Sequence, residues 1–240
     1  MKQLAPSRIP LLEVCCGSLN SALAAVAGGA TRIELCSALS ADGLTPSIGV
    51  LLELRHRFPD LAIHVLVRPR EGNFVYSEAE VLAMERDIHA AAATGATAIV
   101  GGALTPEGSI DVPTTRRLLR AAGGLPFTFH RAFDQVADPE SSFRTLASLG
   151  VHRILTSGCA ACAEAGIPLL RRLVQLSHQM QPAPTILPAG GVNRHNAQSI
   201  LRATGATEIH GSLSVLLPEG IRQTSADEVR ATLVSLADVC

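Results

Sequence analysis

Lysine is almost missing: the chain of 240 residues holds one, Lys2, close to its start. A buried Schiff-base lysine is thereby excluded, and any interior cation has to be arginine or histidine. Charge of one sign is lacking as well. Twenty basic and 21 acidic residues, interleaved along the chain, leave a formal net charge of -1, which gives no electrostatic basis for a nucleic acid or membrane partner. No apolar stretch approaches the ~18 residues of a membrane span, and residues 1–10 hold no apolar core of signal-peptide length. A cytoplasmic location is the expectation. Cysteine is sparse too: Cys15, Cys16, Cys36, Cys159, Cys162 and Cys240 are too few for a disulfide scaffold, and a reducing compartment would keep them as thiols.

Forty-seven per cent of the residues are hydrophobic, enough to bury a full-sized core. Strand-like and helix-like segments alternate through eight rounds. The strand candidates are residues 11–15, 32–36, 63–68, 98–103, 127–132, 153–156, 185–189 and 208–211. The helical cores that follow them are 22–26, 47–57, 78–93, 114–122, 139–149, 167–179, 196–203 and 227–236. Glycine followed by a small residue precedes several of the strands, as in Gly95-Ala96 and Gly205-Ala206, the pattern of a capped helix passing into the next strand. Eight βα units in a chain of this size predict a single α/β domain, a (β/α)8 barrel of the TIM type with irregular closure near its C-terminus, over residues 11–240 after a lead at 1–10. An open doubly wound sheet is the weaker expectation, because Cys15-Cys16-Gly17-Ser18 is not a glycine-rich dinucleotide loop.

In such a barrel the site lies at the C-terminal ends of the strands. Two short phrases end there: Leu12-Glu13-Val14-Cys15 and Ile33-Glu34-Leu35-Cys36. Side chains two apart on a strand share a face, so each phrase directs a carboxylate and a thiol the same way. The same alternation groups His64, Arg68 and Arg70 on the third strand, Thr128, His130 and Asp134 on the fifth, and Glu208, His210 and Ser212 on the eighth, all toward the barrel interior. Thr156 and Ser157 end the sixth. The competing structural reading makes Glu13, Glu34 and Arg68 an ion-pair network that seals the barrel, a use of buried charge with little net gain in stability.

A ligand-binding mouth therefore has candidate proton-transfer groups in Glu13, Glu34, His130 and Asp134. Its candidate anion-binding groups are Arg68 and Arg70 as a clamp, with Thr156, Ser157, His210, Ser212 and the backbone of Gly190 and Gly191, where barrels often hold phosphate. Adjacent strands lie ~4.8 Å apart, so Cys15 and Cys36 can place two sulfurs around one soft ion such as Cu(I); otherwise they are small buried hydrophobes. Cys159 and Cys162 have redox or metal spacing but no second pair, so a closed zinc site is not expected.

Seven phrases together resemble the CutC family, named for copper homeostasis. They are Glu13-Val14-Cys15, Arg32-Ile33-Glu34-Leu35-Cys36-Ser37, Gly43-Leu44-Thr45-Pro46-Ser47, Arg68-Pro69-Arg70, Phe74-Val75-Tyr76-Ser77, residues Thr128 to Asp134, and Leu155-Thr156-Ser157-Gly158. The resemblance runs in order from about Leu11 to Ser212. It implies a cytoplasmic barrel that forms a homo-oligomer, dimer or higher, is linked to copper tolerance, and binds copper, as Cu(I), through thiols that fall on Cys15 and Cys36. Three positions depart from the family pattern: Cys16-Gly17 after the first thiol, Asn73 in place of an aspartate, and Ala189 within a glycine run. An acid role at Asn73 does not carry over. The residues leave a second function open, a lyase or isomerase acting on a small anionic or phosphorylated substrate.

Overall fold

Alternate residues along the strands of this chain are apolar and bulky, and that spacing requires a sheet covered on its outer face. The computed structural model describes residues 10–237; Lys2, most of the expected lead and Cys240 lie outside them. Eight parallel strands run β1 (Leu11–Cys16), β2 (Arg32–Leu35), β3 (Ala62–Leu66), β4 (Ala98–Gly101), β5 (Phe127–Phe129), β6 (Arg153–Thr156), β7 (Thr185–Pro188) and β8 (Glu208–Gly211). The helices between and after them are α1 (Leu19–Ala27), α2 (Ile48–Arg57), α3 (Glu78–Ala93), α4 (Val112–Ala121), α5 (Pro139–Ser148), α6 (Ile167–Gln179), α7 (Ala197–Thr204) and α8 (Ala226–Ala237). The strand order β7-β6-β5-β4-β3-β2-β1-β8 brings the last strand back beside the first. The sheet thus curls into the expected barrel, and no ladder joins β7 to β8 among the described residues.

Val14, Ile33, Ile63, Val65, Ile99, Phe127, Phe129, Ile154, Ile186 and Ile209 project outward and form one buried layer with the helices. Burial of each such side chain contributes about 1.5–3 kcal/mol. The intervening residues point inward, where the barrel is far more polar. Near the N-terminal end of the strands, Glu208 Oε2 accepts from Arg32 Nη2 at 2.7 Å and from Arg153 Nε at 2.8 Å. Burial alone would raise the Glu208 pKa, but these two guanidiniums hold it below its ordinary value.

Strand ends are where the sequence reading needs correction. β3 stops at Leu66 rather than Arg68, and β5 stops at Phe129, after which residues Arg131–Gln135 form a 3-10 turn. His130 caps that turn, its Nδ1 accepting the Ala132 N–H at 3.2 Å. Arg70 leaves the inward face on which its spacing placed it. A capping box opens α3: Ser77 Oγ accepts the Glu80 N–H, and Glu80 Oε2 accepts the Ser77 N–H at 2.7 Å. The other Glu80 oxygen holds Arg70 Nε at 2.5 Å, while Asn73 and the Val75 carbonyl take its remaining donors. Ser77→Ala should therefore cost about 1 kcal/mol, read as a shift in denaturant midpoint; no shift would show that the cap contributes nothing.

Between β8 and α8 lies an antiparallel hairpin, β9 (Ser214–Leu216) and β10 (Arg222–Thr224), which the strand-helix alternation did not reveal. Thr224 ties it to the barrel, donating from Oγ1 to the Ser212 carbonyl and from its N–H to Ser21 Oγ. Among the described residues no helix is long and apolar enough to cross a membrane.

Candidate functional site

Register decides which inward side chains meet. β1 pairs with β2 so that Glu13 is level with Arg32 and Cys15 with Glu34, and β8 brings His210 level with Glu13. The two Glu-x-Cys phrases are thus offset by one inward position. Glu13 sits at the deeper level, only 1% exposed, where Arg32 Nε lies 2.8 Å away, His64 Nδ1 2.7 Å and His210 Nδ1 2.8 Å. Burial opposes its charge, yet hydrogen bonds from His210 and His64 and the charges of His64 and Arg32 hold its pKa well below the ordinary carboxylate value. It is a buried organiser, not a group open to a ligand. The anticipated ion-pair network exists, but its members are Glu13, Arg32, His64 and His210; Arg68 takes no part.

One level up, the Cys15 thiol donates to Glu34 Oε1 at 3.4 Å and lies 3.7 Å from Cys36 Sγ. A sulfur of Cys15, a carboxylate oxygen of Glu34 and a ring nitrogen of His210 all lie within 4.8 Å of one another. Glu34 Oε2 is buried without a hydrogen-bond partner. The hydrogen bond with Cys36, burial and the charge of Glu34 push the Cys15 thiol well above its ordinary pKa, and burial raises Glu34. Burial disfavours charge on His210, but the charge of Glu34 and hydrogen bonds with Cys15 and Glu13 drive it well above the ordinary imidazole value. Glu13 holds Nδ1 of that ring at 2.8 Å and so fixes its orientation, as carboxylates orient metal-binding histidines.

Above this group opens a cavity of about 340 Å³, at the small end of small-molecule pockets. Cys15, Glu34, Arg68, His130, Asp134, Gly190, Gly191, His210 and Ser212 line it; Cys36, Arg70, Thr156 and Ser157 do not. Thr156 and Ser157, read from the sequence as possible anion ligands, are occupied with Asp134: Thr156 Oγ1 donates to Asp134 Oδ1 at 2.5 Å and the Ser157 N–H at 2.9 Å. Arg131 Nε reaches the other oxygen at 2.7 Å. Asp134 thereby ties the turn after β5 to the loop after β6. Cys159 also donates its N–H to Asp134, and burial with the nearby carboxylate moves its thiol up to about 11, away from reactive thiolate.

The far wall carries Arg68, 4% exposed. Its Nη1 donates to the carbonyls of Ala41 at 2.8 Å and Gly43 at 3.1 Å, and Nη2 to that of Gly72 at 2.9 Å. Phe74 lies beneath, its ring centroid 4.9 Å from the guanidinium carbon and 4.8 Å from the His130 ring. Phe74 belongs to the phrase that resembles the family but was given no role by alternation, because it follows a turn rather than a strand.

The whole of this constellation lies within residues 10–215, the span over which the chain matches the CutC family. The chain belongs to the CutC family. It is 44% identical over 212 residues to the human copper homeostasis protein cutC homolog, covering 88% of this chain and 76% of that protein. A CutC family protein of Bacteroides thetaiotaomicron is 46% identical over 202 residues, 83% of this chain and 79% of the relative. A crystal structure of CutC from Streptococcus agalactiae superposes with a TM-score of 0.79 at 34% identity, covering 85% of this chain and 98% of that one. The CutC barrel is therefore the fold of this chain, and its strand-end cluster is a feature of a CutC family member.

Proposed function

We propose that this CutC family member handles copper as cargo, holding Cu(I) at Cys15 with Cys36 as the second sulfur. The observation that carries the reading is the 3.7 Å separation of the two buried sulfurs, of which Cys15 lines the cavity. Two metal-sulfur bonds of about 2.3 Å each can span it, and thiolate is the ligand type that favours Cu(I) over harder ions. The donor set fits the ion in a further respect. His210 presents a ring nitrogen within reach of the Cys15 sulfur, and imidazole is a copper ligand. The names of the relatives agree with this reading; the human relative is named for copper homeostasis.

Binding requires loss of the thiol protons, and Cys15 holds its proton more tightly than an ordinary thiol. Affinity for Cu(I) should therefore rise with pH through the neutral range. The test is competition with a Cu(I) chelator under anaerobic conditions. In the variant carrying Cys15→Ser and Cys36→Ser, Cu(I) affinity should fall by about 100-fold, equal to ~2.7 kcal/mol. Equal retention by the variant and the unaltered protein would overturn the proposal.

A further inference from the structure

Buried charge in proteins is matched by an opposite charge or a ligand, because desolvating an isolated ion is costly. Arg68 breaks that rule. Among the described residues no carboxylate lies within 4.0 Å of its guanidinium; three carbonyl oxygens, the face of Phe74 and the neutral Tyr76 hydroxyl surround it instead. Carbonyl dipoles orient the cation but leave its charge unmatched. The other cations on the cavity wall are satisfied: Arg131 by Asp134 at 2.7 Å and His210 by Glu13 at 2.8 Å.

A second group on the same wall lacks a partner. His130 Nδ1 accepts the Ala132 N–H, so the neutral ring carries its proton on Nε2, and that buried nitrogen has no hydrogen-bond partner. Burial and the neighbouring Arg68 lower its pKa to about 3, which keeps the ring neutral and fixes Nε2 as a donor. Two donors, one cationic and one neutral, thus line the same cavity, each beside Phe74. Neither belongs to the sulfur cluster on β1 and β2.

We infer that Arg68 and His130 form a binding site for the carboxylate of a small organic acid, whose body occupies the cavity. The count of charges selects a carboxylate over a phosphate. One unmatched positive charge neutralises one negative charge, and the carboxyl groups of Glu34, Asp42 and Asp134 that line the same cavity disfavour a dianion. Three backbone carbonyls take the Nη donors of Arg68, and its Nε–H, buried without a partner, is the charged donor left for a carboxylate oxygen. His130 supplies a single N–H to the same group. The site is independent of copper and is tested without it.

Protein freed of metal by a chelator and labelled with 15N-histidine would be titrated separately with pyruvate, lactate and inorganic phosphate. The His130 Nε2–H resonance should shift on addition of pyruvate or lactate, saturably, with phosphate binding more weakly than either. Arg68→Lys keeps the charge but loses the Nε–H, and should weaken the carboxylate by about tenfold. If Arg68→Lys does not fold, the shift in the unaltered protein decides alone. Failure of both carboxylates to move His130, tighter binding of phosphate, or a folded Arg68→Lys with undiminished affinity would each overturn the inference.

Discussion

Glu13→Leu should destabilise the barrel by about 3–5 kcal/mol, the cost of removing one partner from a buried charge cluster. The carboxylate touches Arg32, His64 and His210 within 2.8 Å, and its own exposure is 1%. Leucine fills similar space but leaves the guanidinium and both rings without their acceptor. Arg32 retains Glu208 at 2.7 Å, which limits the loss to the lower part of what a fully stranded cluster would show. An exposed pair such as Arg57 with Glu53, 50% and 39% exposed, should contribute less than ~1 kcal/mol. Urea unfolding of Glu13→Leu beside Glu53→Leu measures the contrast, and equal small effects would show that the buried cluster is dispensable.

The same cluster sets the pH profile of stability. The folded pKa of Glu13 is depressed below its ordinary 4.5, so its contribution is complete above that value and is lost as pH falls through the folded pKa. His210 is the opposite case. Its folded pKa is raised above the ordinary 6.5, so its contribution is complete below that pH and fades as pH rises through the folded value. Together they predict greatest stability between about 4.5 and 6.5 from these two groups, and a flatter profile in Glu13→Leu.

Gly166→Ala is the second large effect. A Cβ at Gly166 would lie 1.8 Å from the Ser157 carbonyl oxygen, and one at Gly158 would lie 2.5 Å from the Gly166 carbonyl oxygen. The two backbones cross where the loop after β6 folds back onto the start of α6. Backbone cannot give way as a side chain does, so the substitution should cost about 3 kcal/mol or more. It should also pull Ser157 from Asp134 and so deform that wall of the cavity. Gly150→Ala is the control. Gly150 has φ +79 and open space around its added Cβ, so only the left-handed strain of about 1–2 kcal/mol applies. Comparable melting temperatures for the two variants would refute the backbone crossing.

The rhythm of strands and helices was readable because each strand is short and apolar on alternate residues, and glycine turns lead into several of them. α3 and α6 begin and end as the sequence predicts, as do β6 and β8. The outward phenylalanines of β5 were readable for the same reason, since a period of two survives any packing. Past a strand's last hydrogen bond that period lapses. Arg70 was placed inward by counting, but the turn at Gly72 and the carboxylate of Glu80 carry it outside. His130 and Asp134 lie beyond β5, where the cap and the Thr156 and Ser157 donors determine their direction.

The sequence by itself determined the barrel, the family and the inward set of Glu13, Cys15, Glu34, His64, Arg68 and His210, because local periodicity and composition encode which face a side chain takes. Only the tertiary structure decided who meets whom. Barrel closure offsets neighbouring strands, so Cys15 is level with Glu34 and Glu13 with His210, a residue 197 positions away. The two Glu-x-Cys phrases divide between levels for that reason: Glu13 is neutralised below, the sulfurs meet above, and Arg68 faces the cavity with no carboxylate of its own. Such pairings depend on strand register and stagger, which arise when the sheet closes and leave no mark on the linear spacing of residues.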